Sequence, residues 1–277
     1  MTNNHFCGLL QCGEREIMMI TSKDHAIIKE VSALMAGAKH RRELQCFVAE
    51  GVRLCCDGVQ SGAPVRAFLY TQEAAEKYPF EFQQLSSAAE KSYEISQKLF
   101  ERIGDTKSPQ GFLCMFRMPP VSAEAGSLRK TGRYAALENL QDPSNLGTIL
   151  RTAEALGMDG VILSADCCDV YAPKVVRGSM GAVFRLPIMI VREFTEFIGL
   201  LTKQGFHTFG STPHDAEELE QIDFSTGGVM LVGNEGNGLR EATLQACSHR
   251  VRIAMRGRAE SLNAAAAAAI LLYKLQG

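Results

Sequence analysis

The chain has 277 residues, a hydrophobic share of 46% and a formal net charge of −2 at neutral pH. This length allows one or two domains, and this hydrophobic share is enough for substantial buried cores. The near-neutral charge excludes a protein that binds nucleic acid through its bulk electrostatics alone, so any such contact has to come from local clusters.

Membrane and secretion signals are missing from the sequence. The longest apolar candidate, residues 264–273, falls short of the roughly 20 residues that a bilayer-spanning helix needs. The N-terminus has neither a basic lead before an apolar stretch nor a small-residue cleavage site. We therefore expect a cytoplasmic protein without a membrane partner. We expect residues 1–19 to be an extension, either frayed or introduced by a start codon placed too early.

The cysteines do not follow the spacing of metal ligands. Nine of them lie at positions 7, 12, 46, 55, 56, 114, 167, 168 and 247, without a Cys-x-x-Cys pair or a matching histidine spacing. An odd count with this pattern favours reduced thiols that serve as small hydrophobic residues. We therefore predict no metal site.

The first hundred or so residues predict a small α/β unit. Apolar residues recur at helical spacing between residues 24 and 37 and again over 51–61, and strand-like runs cover 45–49, 65–70 and 111–116. A basic cluster, residues 39–42, follows the first helix at a predicted helix-to-strand connection. Two prolines after Met118, followed by small polar residues, predict a linker over 118–130.

From residue 134 onwards, strands and helices alternate regularly. Strands are predicted over 134–138, 160–164, 184–188, 207–210, 228–232 and 251–254, and helices over 145–156, 170–177, 194–204, 239–246 and 261–273. Such alternation predicts a mostly parallel sheet with helices on both faces and ligands at the carboxyl ends of its strands. For the last helix we predict Ser261 as the N-cap. Its predicted inward face consists of Leu262, Ala266, Ala269, Ile270 and Tyr273.

Three stretches place polar side chains directly after a predicted strand. The first contains Asn145 and Arg151, the second is the glycine-rich run over 233–238, and the third contains Ser261 and Asn263. Glycines after an apolar strand allow a ligand to approach the backbone closely, although their spacing here is not that of the dinucleotide-binding fingerprint. Taken singly, each stretch also fits an ordinary role, with Asn145 as a helix cap and Arg151 as a surface residue.

Taken together and in this order, the three stretches resemble motifs 1, 2 and 3 of the SpoU (TrmH) family. The members of this family are S-adenosylmethionine-dependent RNA ribose 2′-O-methyltransferases of the SPOUT superfamily. The resemblance covers about residues 134–275, and the N-terminal unit, with its Phe-Val-Ala-Glu-Gly-Val-Arg run over 47–53, is similar to the family's substrate-binding domain. The third motif usually carries a proline before its methionine, whereas this chain has Ala254 before Met255.

The resemblance implies an α/β fold with two domains. A small αβα domain that binds the RNA substrate would cover residues 20–117, and a SPOUT methyltransferase domain would cover 131–277. The second domain is expected to contain a deep trefoil knot, with the last helix threaded through a loop near residues 210–236, and to form a homodimer. Knots are nearly absent from proteins in general, so the sequence pattern alone would not have predicted one.

The resemblance also implies roles for individual residues. Arg151 is expected to reach the cofactor of the other subunit, while Asn145, Glu235, Ser261 and Asn263 orient RNA, arginine and cofactor. S-adenosylmethionine is expected to be held by Ser211, Thr212, Leu231, Val232, Gly233, Gly238, Ile253, Met255, Ser261, Leu262 and Asn263. A guanidinium is essentially never deprotonated in proteins, so we expect Arg151 to hold an RNA phosphate rather than to act as a base.

Ribosomal RNA is the substrate that we predict. A tRNA ribose or nucleobase methyltransferase on the same fold and a non-catalytic RNA-binding factor for ribosome assembly are the alternatives, and the complete motif set argues against the second. Lys39, Arg41 and Arg42 are predicted to contact RNA phosphates. Such basic runs are more often only a solvated surface.

Overall fold

A computed structural model of the chain describes residues 19–106, 108–119, 125–259 and 261–277. The predicted extension lies outside the described residues except for residue 19, and so does part of the predicted linker, residues 120–124. None of the helices in the described ranges combines the length and the apolar character that crossing a membrane requires.

The N-terminal half contains a four-stranded sheet between two layers of helices. Its strands lie in the order β1 (Cys46–Glu50), β4 (Phe112–Arg117), β2 (Val65–Tyr70) and β3 (Ser92–Glu94), with β4 antiparallel to both neighbours and β2 parallel to β3. Side chains alternate between the two faces of each strand and fill a separate core on each side. The helices are α1 (Ala26–Ala36), α2 (Ala38–Leu44), α3 (Val52–Gln60), α4 (Gln72–Lys77), α5 (Pro79–Ala88) and α6 (Gln97–Ile103).

The C-terminal half contains a seven-stranded sheet in which every neighbouring pair is parallel. Its strands lie in the order β7 (Ile188–Val191), β6 (Gly160–Ser164), β5 (Arg133–Leu137), β10 (Gly228–Val232), β8 (Thr208–Ser211), β11 (His249–Arg252) and β9 (Glu217–Glu218). The helices are α7 (Pro143–Ala155), α8 (Pro173–Gly178), α9 (Ala182–Arg185), α10 (Phe194–Lys203), α11 (Glu241–Ala246) and α12 (Ala264–Gln276). Short 3-10 turns cover Ala125–Ser127 and Leu219–Gln221. The predicted α/β fold with a mostly parallel sheet is confirmed.

Two predicted elements of this fold were wrong. Residues 184–188 were predicted as a strand, but Ala182–Arg185 is helix α9 and strand β7 begins only at Ile188. Gly181 precedes this helix with a φ of 87°, and the ring of Phe184 packs against the N-terminal sheet, a tertiary contact that periodicity cannot reveal. The basic residues 39–42 lie inside helix α2 rather than in a connection, because Lys, Arg and Glu are good helix formers after the break at Gly37.

The N-cap of the last helix lies two residues later than predicted, and the helix buries a different face. Asn263, not Ser261, is its N-cap, because its Oδ1 accepts hydrogen bonds from the backbone N–H groups of Ala265 (2.9 Å) and Ala266 (3.3 Å). The predicted inward face is largely exposed, with Tyr273 66% and Ile270 40% accessible. Small alanines instead allow α12 to approach α7 and β10 closely. The buried face consists of Ala264, Ala265, Ala268, Leu271, Leu272 and Leu275.

The two halves pack against each other through α8, α9 and the loop before them. The ring of Phe47 in β1 lies 4.7 Å from that of Tyr171, and the ring of Phe116 in β4 lies 4.8 Å from that of Phe184. Beside these rings, the Nε of Arg41 donates a 2.7 Å hydrogen bond to Asp169. One apolar core therefore continues from the first sheet into the second.

Candidate active site

The glycine-rich turn after β10 has a geometry that only glycine satisfies at two positions. The backbone N–H and C=O groups of Asn234 and Gly238 bond to each other at 3.0 and 2.9 Å, and Gly238 has a φ of 67°. A Cβ on Gly233 would lie 2.1 Å from the carbonyl carbon of Gly238. The Asn234 side chain accepts hydrogen bonds from the N–H groups of residues 236 and 237 at 2.9 and 3.1 Å. The hydrogen bonds and the two glycines therefore fix the backbone conformation of this turn.

Glu235, at the tip of this turn, joins the second motif to the first. Its carboxylate accepts hydrogen bonds from the backbone N–H groups of Gln141 (3.2 Å) and Asp142 (3.0 Å) and from the side-chain amide of Asn145 (3.1 Å). Partial burial acts to raise the pKa of Glu235, but the donors from Asn145, Asp142 and Gln141 outweigh it, so its pKa is lowered. Glu235 is therefore an ionised anchor at neutral pH.

Asn145 joins the first motif to the third. The cap of α7 is Asp142, which accepts a hydrogen bond from the N–H of Ser144 at 2.6 Å, so the reading of Asn145 as a helix cap is wrong. Asn145 is instead 8% exposed, and its Oδ1 accepts a 3.0 Å hydrogen bond from the amide of Asn263. An unbroken series of side chains thus runs from Glu235 through Asn145 to Asn263, the cap of α12.

A pocket of about 430 Å³ opens between the glycine turn, the loop after β8 and the loop after β11. Of the predicted cofactor residues, Leu231 and Asn263 do not line this pocket, because Leu231 is fully buried in β10 and Asn263 caps α12. The predicted residues that do line it are Ser211, Thr212, Val232, Gly233, Gly238, Ile253, Met255, Ser261 and Leu262.

Other residues that line this pocket were not predicted from the sequence. Leu239, Leu244 and Leu271 add apolar surface, and Arg252 borders the same pocket. Arg252 pairs with Glu218 through Nη2 at 2.9 Å, while its buried Nε has no hydrogen-bond partner among the described residues. Only their positions could have indicated them, since Leu239 directly follows the glycine turn and Arg252 lies in a predicted strand.

A buried carboxylate behind the glycine turn also went unassigned. Glu138 at the end of β5 is fully buried and accepts hydrogen bonds from the backbone N–H of Arg240 at 2.8 Å and the hydroxyl of Thr243 at 2.6 Å. The Arg240 side chain also bonds to Asp166. These contacts fix the start of α11 and with it the far end of the turn. In the sequence, the feature that could have indicated Glu138 was its position as a carboxylate at the end of an apolar strand.

Arg151 is not brought to the pocket of its own chain. It is exposed, lies six residues beyond Asn145 on α7, and does not line the pocket. Six residues correspond to about 9 Å along the helix and about 120° around it. Among the described residues, no hydrogen-bond or ion-pair partner is seen for Arg151. Its guanidinium is therefore free for a group that comes from outside this chain.

The three predicted phosphate contacts differ in availability. Lys39 and Arg42 are exposed, and Lys39 lies only loosely against Glu43, at 3.9 Å. Arg41 is 4% exposed, bonds to Asp169 and donates to the backbone carbonyl of Leu34. The prediction that Arg41 contacts RNA phosphate is therefore wrong, because its guanidinium is buried and bonded to Asp169 and Leu34 at the seam between the two halves.

Two family models match this chain. The model of the SpoU rRNA methylase family matches residues 132–273, and a model of the MRM3-like substrate binding domain matches residues 25–114. The chain belongs to the SpoU family. This confirms the family and the enzyme class, an RNA methyltransferase, that the three motifs predicted.

Two relatives of this SpoU-family chain match it over almost their full length. It is 30% identical to the 23S rRNA (guanosine(2553)-2′-O)-methyltransferase RlmP of Bacillus subtilis over 86% of this chain and 92% of that protein. It is also 30% identical to the 23S rRNA (uridine(2479)-2′-O)-methyltransferase of Streptomyces viridochromogenes, over 92% and 90%. The crystal structure of an AdoMet-bound rRNA methyltransferase from Sinorhizobium meliloti superposes with a TM-score of 0.83 at 29% identity, covering 94% and 97%.

Metal ligands do not gather anywhere in the described ranges of this SpoU-family chain. No three side chains of His, Cys, Asp or Glu are grouped there as a metal ion would need.

Proposed function

We propose that this protein transfers a methyl group from S-adenosylmethionine to a ribose 2′-hydroxyl of ribosomal RNA. The observation that carries the proposal is the hydrogen-bonded series Glu235–Asn145–Asn263, which joins all three motifs beside one pocket. Two relatives that match 86% and 92% of this chain are named as 23S rRNA 2′-O-methyltransferases.

The pocket suits the proposed cofactor by its chemistry. The apolar side chains of Leu239, Leu244 and Leu271 offer surface for a purine ring, and the loop backbones around Gly233 and Ile253 offer hydrogen-bonding groups for its edges. The ionised Glu235, which lines the pocket, favours a positive group nearby. The cofactor supplies a methyl group already activated on a sulfonium, so the reaction needs no metal.

The residues of the chain then have to align the ribose hydroxyl and accept its proton. Glu235 is a poor base, because three donors stabilise its carboxylate. Guanidinium groups stay protonated in proteins, so we do not assign the base to an arginine. We assign Arg151 to the RNA phosphate beside the target ribose, which it holds by a bidentate contact. The hydroxyl proton passes to that phosphate or to water. Alignment accounts for much of the rate.

A homodimer belongs to the same proposal. Arg151 lies away from its own pocket, and α12, which packs on α7, leaves an apolar stripe uncovered with Ile270 and Tyr273. Covering this stripe with a second copy would bring Arg151 of one subunit toward the pocket of the other. The trefoil knot, with α12 threaded through residues 210–236, and the cytoplasmic location complete the proposal as predictions.

Mapping ribosomal RNA from cells with and without the gene tests the function. A single 2′-O-methylated position that disappears with the gene, and returns with the purified protein and S-adenosylmethionine, is the expected result. Its nucleotide is left open, because two relatives of equal identity act on a guanosine and a uridine. Mass spectrometry of the nucleoside separates ribose from base methylation. Unchanged ribosomal RNA with altered tRNA would favour the tRNA alternative, and no methylation at all would favour the assembly factor.

A further inference from the structure

A second pocket of about 430 Å³ lies on the N-terminal domain, between α3 and α5, apart from the site described above. We propose that it holds one unstacked base of the substrate RNA near the methylated nucleotide. This inference rests on the proposed function. The residues that carry it are Arg53, Gln60, Phe80, Glu81, Gln84 and Gln110.

Phe80 is the stacking surface. It follows Pro79 in the first turn of α5, and its side chain is 84% exposed although it is aromatic. An aromatic ring in this position leaves apolar surface in water, so it has little reason to be there for folding. Sequence-specific recognition of RNA uses such rings, because a splayed base can stack on them.

Polar groups around Phe80 suit the edge of a base. Glu81 supplies a carboxylate that accepts from an exocyclic amine, and Gln84 supplies an amide one turn further along α5. Across the pocket, Gln110 accepts a 3.0 Å hydrogen bond from the N–H of Val52, which fixes its oxygen and leaves its NH₂ group as a donor. Hydrogen-bond acceptors and donors therefore lie around the Phe80 ring, where they can bond to the edge of a base that stacks on it.

The charge of this pocket and the residue at its floor are compatible with an RNA base as the ligand. Burial, the neighbouring Cys55 thiol and the carboxylates of Glu81 and Asp57 raise the pKa of Cys56 to about 11, so the floor is a neutral thiol. Arg53 is exposed at the rim, and no ion-pair partner for it is seen in the described part of the chain. It can contact the phosphate that follows the bound base. The carboxylates of Glu81 and Asp57 make a free anion unfavourable as the main ligand of this pocket.

The pocket adjoins the surface that carries Arg151. Asp57 in its wall lies 4.0 Å from Nη1 of Arg185, and Nε of Arg185 donates to Glu154 at 2.7 Å. Glu154 is three residues beyond Arg151 on α7, a spacing that places two side chains about 5–6 Å apart on a helix. An RNA strand held by Arg151 therefore passes close to this pocket on the same subunit.

Phe80→Ala tests the proposal, with Phe80→Trp as the variant that keeps a stacking ring and Leu200→Ala as the control. Leu200 is 44% exposed on α10, so its truncation also removes exposed apolar surface, away from the N-terminal domain. Binding to large-subunit ribosomal RNA from the gene-deleted strain is measured by filter retention, and S-adenosylmethionine binding by calorimetry. Ultraviolet crosslinking of wild type to the same RNA is followed by mass spectrometry.

We expect Phe80→Ala to weaken RNA binding roughly five- to hundredfold, because stacking of one base is lost. Cofactor affinity and melting temperature stay unchanged, and Phe80→Trp and Leu200→Ala bind as wild type. The crosslinked nucleotide lies on the peptide containing α5. If wild type methylates the RNA but Phe80→Ala binds it equally well, the subsite is wrong and the pocket is left to a protein partner. If wild type methylates no RNA, the proposed function itself fails.

Discussion

The side-chain amide of Asn263 donates a 3.0 Å hydrogen bond to Oδ1 of Asn145, while the Oδ1 of Asn263 caps helix α12. One side chain thus serves two purposes through two different atoms. The carbonyl stabilises the helix end, and the amide holds the third motif against the first. Substitutions can separate these purposes.

Asn263→Asp keeps the capping oxygen and loses the donor to Asn145. We expect the variant to melt as wild type does but to lose methylation activity at least tenfold, because the third motif loses its link to the first. Asn263→Ala loses both contacts and should also lower the free energy of unfolding by about 1 kcal/mol. Thermal unfolding and single-turnover methylation measure the two effects. Equal activity of Asn263→Asp and wild type would show that the link is dispensable.

Glu235→Gln removes a charge that three N–H donors stabilise. The pKa of Glu235 is lowered by folding, so its contribution to stability is present above the usual glutamate pKa, about 4.3, and is lost as the pH falls through its folded pKa. We expect the variant to be about 1 kcal/mol less stable at neutral pH, and the difference to shrink in acid. Denaturant titrations across a pH series measure it. The exposed Glu220→Gln is the matched control. A pH-independent difference would contradict the assignment.

Arg151→Lys keeps the positive charge and loses the planar fork. We expect a lower kcat with unchanged cofactor binding, and a larger loss in Arg151→Ala. Neither change should alter the melting temperature, since Arg151 is exposed. Single-turnover methylation across a pH series is the measurement. An ionisation in the wild-type rate that disappears in Arg151→Lys, without a change in RNA affinity, would mean that the arginine itself titrates.

Replacing the apolar stripe of α12 tests the dimer. Tyr273→Glu and Ile270→Glu place charges on side chains that are 66% and 40% exposed, so the folded subunit should tolerate them. We expect a folded, inactive monomer by light scattering and circular dichroism, with Leu200→Glu as the control on another exposed face. A dimer that survives both charges would place the interface elsewhere.

Mixing two inactive variants tests whether the site is shared between subunits. Arg151→Ala and Gly233→Ala, whose Cβ would meet the backbone of Gly238, should each be inactive. Co-refolded, they should recover roughly a quarter of the wild-type activity, because half of random dimers are mixed and hold one intact site. No recovery in a mixture that is shown to contain mixed dimers would place Arg151 and the pocket of one chain in the same site.

Among the basic residues of α2, we expect Arg41 to contribute to stability and Lys39 and Arg42 to contribute to RNA binding. Arg41→Ala leaves Asp169 unpaired at the seam and should lower the melting temperature without changing the salt dependence of RNA binding. Lys39→Ala with Arg42→Ala should leave stability unchanged and make RNA affinity fall less steeply with salt. Filter binding between low and high salt distinguishes them. If the double variant binds RNA with the wild-type salt slope, α2 is only a solvated surface.

The sequence was sufficient for the family, the parallel sheet and most of the pocket, because these depend on alternation and on local motifs. It failed for α12, where alanines fit either face and only the packing partners α7 and β10 decide which is buried. It failed for Arg41, because the partner Asp169 is 128 residues away. The role of Glu138 was invisible for the same reason, since its donors come from α11 and the residue before it.

The shared core between the two sheets has a consequence for how RNA is selected. Rings from both halves interlock at 4.7–4.8 Å, and Arg41 bonds to Asp169 beside them. These contacts hold the N-terminal domain against the C-terminal sheet of the same chain, so we expect the distance from the pocket beside Phe80 to Arg151 to be the same for every RNA. An RNA with one nucleotide inserted between the base at the Phe80 pocket and the phosphate at Arg151 should lose methylation. An RNA with a changed base in the same interval should keep it.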